Sequence, residues 1–477
     1  MKHILLATFI LNTSAIAFSQ QTNQTKLIDS YVKEVMKNNQ IPGLALGIIK
    51  DNKVIFEHYY GTENLDDLKK VGPSSMFRVY STSKLMTNVG IFQLIEQGKL
   101  SLEDPISKYV EHLPQDWQNI KVKNLLTHSS GMPDVVAIND ILPEDPNNKA
   151  IERLGKEKMD FSTGNEYRYN QTNYMLLTMI IEKITGESFD TFIINNQLSD
   201  VKDQVYFSSN SFEKIPNRVQ KYNYNSTTHQ YEKSTFNDGM RAHSGNGLAI
   251  TLPAFLQWSN HLNKNNLLNQ NTKEMMWKPF EYGNKSDVFA YGWEINTTNT
   301  IPSYGFSGGN VSAYRIFPQN NMTIIMMSNG YNFFPVQYQM VNHIAGMIDE
   351  KLADSYSLTE ESIISEFSKK DNPNAEKNYH SLKAKNPTWD FENLLNSIGY
   401  SLLRNSRTDE AVKVFELNAK EHPQSANAFD SLGDGYFSAK NYALSLKNYK
   451  KSLELNPQNT NAQNMIEKIN TVMTQKN

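Results

Sequence analysis

Cysteine is absent from the 477-residue chain. That absence excludes thiolate catalysis, disulfide bridging and thiolate-bound zinc. Histidine is sparse: ten in all, with no HExxH spacing to set two ligands on one helix face. No pattern points to a metal or another cofactor. An excess of one charge is missing too. The net charge is −3, with 47 Lys and Arg interspersed among 50 Asp and Glu, so no basic stripe marks a nucleic-acid or anionic-membrane partner. Long apolar runs are also lacking, and the run from Ile4 to Leu11 is too short for a permanent membrane anchor.

That run has a meaning of its own. Lys2 and His3 precede it, and Ala15, Ala17 and Ser19 follow, which is the charged start, apolar middle and small-residue end of a secretory signal. Residues 1–19 are therefore expected to be a signal peptide, with the mature protein beginning near Gln20 or Gln21. No cysteine stands there to accept a lipid. The chain is expected to be exported, either periplasmic or secreted.

The length favours two or three domains. A helix-like stretch from Leu27 to Lys37 precedes two strand-like runs, Gly43–Ile49 and Lys53–Tyr59, whose separating residues Asp51 and Asn52 predict a hairpin. Helical signals dominate from Ser83 to about Phe255. Strand signals return at Phe289–Glu294, Gly309–Phe317 and Met322–Ser328. Strands at both ends with helices between predict an α+β domain over residues 20–350, a largely antiparallel sheet with an inserted helical lobe. Further on, Gly399 recurs as Gly433, Ala411 as Ser445, Phe415 as Tyr449 and Pro423 as Pro457, each 34 residues apart. A period of 34 with these residue types resembles tetratricopeptide repeats and predicts an all-α segment. Its two units span residues 392–425 and 426–459, with a helical tail from Thr460, so the repeat region is 392–477. Residues 351–391 are expected to be a linker with a partial unit ending at Pro387.

The chemistry starts from Ser81, Thr82, Ser83 and Lys84, which head the apolar run Leu85–Leu94. At a spacing of three, a Ser hydroxyl and a Lys amine share one helix face. A Lys that is partly desolvated there is a base for the Ser proton.

Neighbouring segments extend the pattern: Phe77-Arg78-Val79-Tyr80, then Gly98-Lys99-Leu100-Ser101-Leu102-Glu103-Asp104-Pro105-Ile106, then Val122 through Met132. In this order they resemble the serine β-lactamase and penicillin-binding superfamily, closest to its class C and esterase-like branch, over about residues 27–350. The resemblance implies a β-lactamase-like fold, with Ser81 as the acylated nucleophile and Lys84 as its activator. His128 then resembles a lobe-packing residue. In the second motif, Tyr-x-Asn, the best register puts Tyr169 at the tyrosine and Gln171 at the Asn position. Gln171 keeps the amide donor and acceptor one methylene further out. Tyr169 is implied as a proton carrier. The third motif, Lys or His, then Ser or Thr, then Gly, appears as Phe306-Ser307-Gly308, followed by Gly309 before a strand expected from Asn310. Phe306 removes the family's cation, which can pair with a substrate carboxylate. The resemblance still implies an oxyanion hole from the amides of Gly309 and Ser81, with Ser307 able to donate to substrate. Ser244–Leu248 resembles a small-residue turn under the active-site floor and Tyr291–Trp293 resembles a strand start, and both are expected to be structural.

Gly305–Gly309 also fits GxSxG, the nucleophile elbow, which requires a helix after the Ser. The residues that follow, Val311–Phe317, have a strand pattern, so Ser81 is the expected nucleophile. The sequence predicts an exported serine hydrolase that forms an acyl-enzyme on an ester or amide: an esterase, a D-amino-acid peptidase or a β-lactamase-like enzyme acting on a small molecule or peptide. The alternative is a degraded enzyme serving as a binding module, with a protein partner held by the repeats.

Overall fold

The computed structural model describes residues 23–284 and 289–474. The expected signal peptide lies outside the described residues. Helix α1 (residues 23–38) leads into the hairpin of β1 (Gly43–Lys50) and β2 (Lys53–Gly61). Asp51 and Asn52 between them have φ of 50° and 60°, the backbone of a type I′ turn that short Asp and Asn side chains tolerate. Strand β3 (Met76–Arg78) opens the lobe, which continues through α2 (Lys84–Glu96), α3 (Val122–Leu126), α4 (Asn147–Leu154), α5 (Gln171–Thr185) and α6 (Phe189–Gln197). Then come β4 (Val205–Phe207), β5 (Tyr222–Asn225), β6 (Gln230–Lys233), the single turn α7 (His243–Asn246), β7 (Leu248–Thr251), α8 (Leu252–Asn263) and α9 (Gln270–Met276). The domain finishes with β8 (Glu294–Thr298), β9 (Ile301–Gly308), β10 (Ser312–Phe317), β11 (Met322–Ser328) and α10 (Gln337–Ile348).

The main sheet is antiparallel throughout, in the order β2-β1-β11-β10-β9-β8, so the N-terminal hairpin closes against the last strand. Strand β1 reads as a continuous apolar run because both of its faces are covered. Leu44, Leu46 and Ile48 pack with Ile28, Val32, Met340 and Ile344 of α1 and α10. Ala45 and Ile49 point the other way, into the core shared with the lobe. Gly47 lets α8 approach: a Cβ there would stand 2.8 Å from Leu256 and 2.9 Å from Leu252. Each fully buried Leu or Ile of this strand contributes about 1.5–3 kcal/mol.

Three strand expectations need correction. Phe289–Glu294 is not a strand: Gly292 turns the chain at φ 84°, the Gly292 amide bonds the Ala290 carbonyl, and β8 starts only at Glu294. The strand expected from Gly309 or Asn310 begins at Ser312, because Gly309 (φ 55°) and Asn310 (φ 57°) form the preceding turn. The third motif lies on β9, a strand the sequence reading did not place. The mostly helical middle also contains short strands, and β3, β7 and β4 form a three-stranded sheet at its base.

Residues 351–391 carry two helices, α11 (Ser355–Ser368) and α12 (Ala375–Lys385). Beyond them α13 (Glu392–Arg404), α14 (Thr408–Glu421), α15 (Ala426–Ser438), α16 (Tyr442–Leu455) and α17 (Thr460–Thr474) form successive helical hairpins and a closing helix. The 34-residue period is a packing period. A Cβ on Gly399 would lie 2.3 Å from the Phe415 ring, and one on Gly433 would lie 2.8 Å from the Tyr449 ring. The glycine in each unit makes room for the aromatic of its own hairpin.

The repeats rest on the first domain. Phe333 and Phe334 join the core of Ile363, Phe367, Leu395 and Phe415. Arg407 donates to the carbonyls of Phe367, Ser368 and Lys369. Removing the aromatic at the centre of unit one should therefore be costly. Phe415→Ala is expected to destabilise the repeat segment by about 3–5 kcal/mol, read as an earlier transition in urea followed by circular dichroism.

Candidate active site

The site lies where β9 meets the start of α2. Ser81 occupies a 3₁₀ turn, Tyr80–Ser83, directly ahead of that helix. Tyr80 holds φ of 49°, rare for a bulky residue and costing on the order of 1–3 kcal/mol. The turn is fixed from several sides. Ser83 Oγ donates to the Tyr80 carbonyl at 2.5 Å and accepts from the Leu248 amide at 3.0 Å. Ser312 Oγ donates to the Val79 carbonyl at 2.7 Å and lies 3.0 Å from Thr82 Oγ1.

Lys84 is fully buried one helical turn on. Its Nζ donates to Gln171 Oε1 at 3.0 Å and to the Gly245 carbonyl at 2.7 Å. Three rings surround the amine, Tyr174 at 4.6 Å, Tyr169 at 4.9 Å and Phe306 at 5.8 Å. Burial pushes its pKa down to about 7, with Asp134 and Glu294 partly opposing the shift. A neutral amine has two N–H bonds, and Gln171 and Gly245 use both. The lone pair is left to accept a proton.

Tyr169 meets the nucleophile directly: its hydroxyl donates to Ser81 Oγ at 2.8 Å. This contact and the Gln171 contact on Lys84 place both second-motif residues on the site in the register expected from sequence. Burial pushes Tyr169 up to about 12, although its hydrogen bonds to Ser81 and Gln171 act the other way. The loop is held by its own cap. Asn170 is the N-cap of α5, accepting from Asn173 N at 3.3 Å and donating to the Met132 carbonyl at 2.6 Å. His128 lies beneath it, with Nδ1 accepting from Asn170 N at 3.1 Å and its ring 4.6 Å from that of Tyr169. Burial, then Lys84, holds His128 well below its ordinary pKa, so it packs as a neutral ring.

The third motif presses against the nucleophile turn from β9. Phe306 is buried, and its ring lies 6.2 Å from Tyr169. A Cβ on Gly308 would stand 2.0 Å from the Val79 carbonyl and 2.9 Å from Ser81 N, so only glycine permits this approach. Gly309 has φ 55°, and a Cβ there would stand 2.8 Å from the Tyr80 ring. Among the described residues, neither the Ser81 nor the Gly309 amide is used in a backbone hydrogen bond. Two free amides beside a nucleophile can stabilise a developing oxyanion. Ser307 is half-buried on the same strand and precedes a turn and β10 rather than a helix, so it does not form a nucleophile elbow.

Sequence reasoning missed two participants. The Gly245 carbonyl binds Lys84 from α7, within the segment read only as a small-residue turn. Glu294 opens β8, accepts from the Ser307 amide and the Tyr338 hydroxyl, and lies 3.6 Å from Arg315. Burial raises its pKa. A lone Glu ahead of a strand carries no sequence signal for this role. On the other side of Gln171 and Gly245 lies a cavity of about 340 Å³, with Val135, Val136, Ile138 and Ile141 among its walls.

The profile of the Beta-lactamase family matches residues 28–339. Protein flp of Staphylococcus aureus (strain N315) is 27% identical over 197 residues, 40% of this chain and 39% of that one, so the match spans well under half of that relative's length. The N-acetylmuramyl-L-alanine amidase of Bacillus subtilis (strain 168) is 26% identical over 382 residues, 68% of this chain and 85% of that protein. Among solved structures, an octameric penicillin-binding protein homologue from Pyrococcus abyssi superposes with a TM-score of 0.61 at 21% identity, covering 72% of this chain and 81% of that one.

The site's titration gives a direction for reactivity. With Lys84 near 7 and able to accept a proton only when neutral, the rate at which Ser81 reacts with an electrophile should rise through about pH 7 and level off above it. Tyr169, near 12, stays protonated across that range. Stopped-time labelling with a serine-directed fluorophosphonate between pH 5 and 9 checks the profile, and Tyr169→Phe should slow it by roughly 10²–10⁴-fold without changing its midpoint.

Proposed function

The chain belongs to the Beta-lactamase family, and from that premise we propose that it is an exported serine hydrolase forming an acyl-enzyme on Ser81. The observation that carries this reading is the contact of Tyr169 with Ser81 beside a desolvated Lys84. Lys84 takes the hydroxyl proton as Ser81 Oγ attacks a carbonyl carbon. The oxyanion forms between the amides of Ser81 and Gly309. As the intermediate collapses, Tyr169 passes a proton to the leaving oxygen or nitrogen and Lys84 replenishes it. Water then attacks the acyl-enzyme, with the same pair removing its proton, and Ser81 is restored.

The substrate is an ester or amide. Phe306 supplies no cation for a substrate carboxylate and walls the amine with an aromatic face. The cavity beside Gln171 sets Val135, Val136, Ile138 and Ile141 against Asn139, Asp238 and Arg241, which suits an acyl group with both an apolar part and polar groups. The name of the B. subtilis relative, an N-acetylmuramyl-L-alanine amidase, supports an amide; a D-amino-acid peptide and a small ester are the other candidates. The repeats stabilise the hydrolase by packing on it, a reading supported by the Phe333 and Arg407 contacts.

Intact-mass labelling tests the proposal. Wild type is expected to gain one fluorophosphonate adduct, Ser81→Ala none, and penicillin is expected to label wild type far more slowly. Wild type that takes up no adduct would identify a degraded enzyme kept for binding. A Phe306→His variant is expected to gain measurable hydrolysis of a chromogenic cephalosporin, because it restores a cation at the third motif.

A further inference from the structure

The first helical repeat contains a group of side chains that takes no part in the hydrolase site. Asp390 and Glu392 flank the start of α13, and His422 ends the segment after α14. The ligand atoms of all three lie within 4.8 Å of one another. His422 Nε2 lies 3.6 Å from Asp390 Oδ1, is shielded from solvent, and has no hydrogen-bond partner.

A helix start explains the acids in part. Asp390 Oδ1 accepts the Glu392 amide at 2.9 Å, and carboxylates favour the positive end of a helix. It does not explain a solvent-shielded imidazole nitrogen that stands 3.6 Å from Asp390, within ion-pair range, and makes no hydrogen bond. The repeat supplies an internal control. Thirty-four residues on, Asp390, Glu392 and His422 correspond to Gln424, Ala426 and Asn456, and the second unit forms the same helical hairpin without an acid or an imidazole at these places. The three side chains are therefore additions to the repeat rather than requirements of it.

We propose that Asp390, Glu392 and His422 bind a divalent transition metal, with zinc the best match, clipping the chain before α13 to the turn between α14 and α15. One imidazole with two carboxylates suits zinc and its neighbours, whereas calcium and magnesium call for oxygen ligands alone. With metal–ligand bonds of about 2.0–2.2 Å, two ligands across a tetrahedral angle stand about 3.4 Å apart. The imidazole and Asp390 already lie close to that separation. Part of the outer support is also in place. Glu392 Oε1 is held by Ser425 Oγ at 2.6 Å and Asn427 Nδ2 at 3.4 Å, which leaves Oε2 for the metal. The Asp390 carbonyl accepts from Tyr356 of α11 at 2.6 Å, so the clip reaches the helix that joins the repeats to the hydrolase. Three protein ligands leave a fourth position for water.

The test uses the full chain, stripped with a chelator and titrated with Zn²⁺ by calorimetry and with Co²⁺ by visible absorption. Wild type is expected to bind one Zn²⁺ per chain at micromolar or tighter affinity and to melt at a higher temperature when loaded. The double variant Glu392→Ala, His422→Asn installs the second unit's own residues, so its fold is expected to persist in circular dichroism. Its Zn²⁺ affinity should fall at least tenfold, and zinc should no longer shift its melting temperature. Wild type that binds no Zn²⁺, or a double variant that binds it as tightly as wild type, would overturn the proposal.

Discussion

Desolvation of one amine organises this molecule's site. An ammonium as deeply buried as Lys84 is costly unless it is paired, and no carboxylate is bonded to it. Releasing the proton near neutrality is the cheaper solution. The surroundings are consistent with that state: an amide oxygen and a backbone carbonyl as acceptors, and three aromatic faces as walls. Gly245 belongs to the same constraint. A Cβ there would stand 2.8 Å from Gln171 Oε1 and 3.1 Å from Lys84 Nζ, so glycine lets a main-chain acceptor reach the amine. Phe306 deepens the desolvation where the family's cation would compete with it.

A second constraint is the close approach of β9 to the nucleophile turn. Gly308 and Gly309 give up side chains so that the strand can lie against Val79, Tyr80 and Ser81. Tyr80 is held in the left-handed region by bonds on both sides of it, and the strain places the Ser81 hydroxyl under Tyr169. Reactive geometry and glycine content are thus two aspects of one packing requirement.

The parts of this arrangement that local residue patterns dictate were legible in the sequence. Asp51-Asn52 announces its turn, the Ser81–Lys84 spacing its helix face, and the Gly399/Phe415 and Gly433/Tyr449 pairs their hairpins. Tyr169 and Gln171 were legible through the order of a family motif, and both reach the site. What could not be read depends on contacts distant in sequence. The Gly245 carbonyl lies 161 residues from Lys84 and has no side chain to signal it. Strand β9 escaped because Pro302, Gly305 and Gly308 break the usual strand composition, yet β10 pairs with it along Gly308 to Tyr304. Glu294 reads as an ordinary surface acid until Tyr338 and Ser307 close over it.

The placement of the repeats limits how they can act on catalysis. They dock beside α1 and α10, on the face of the sheet opposite α8, while Ser81 and Lys84 lie on the lobe side. Among the described residues, no repeat residue lines the cavity beside Gln171 and Gly245. Helix α10 touches both regions: His343 bonds Glu361 of α11, and Tyr338 bonds Glu294, which in turn receives the Ser307 amide. Any influence of the repeats on Ser307 by this route requires α10 to shift against the sheet. Met340, Val341 and Ile344 are fully buried against β1 and β11, and a close-packed interface of this kind resists graded displacement. The repeats therefore pack behind α10, and through His343 and Tyr338 that helix links them to Glu294 and the third motif.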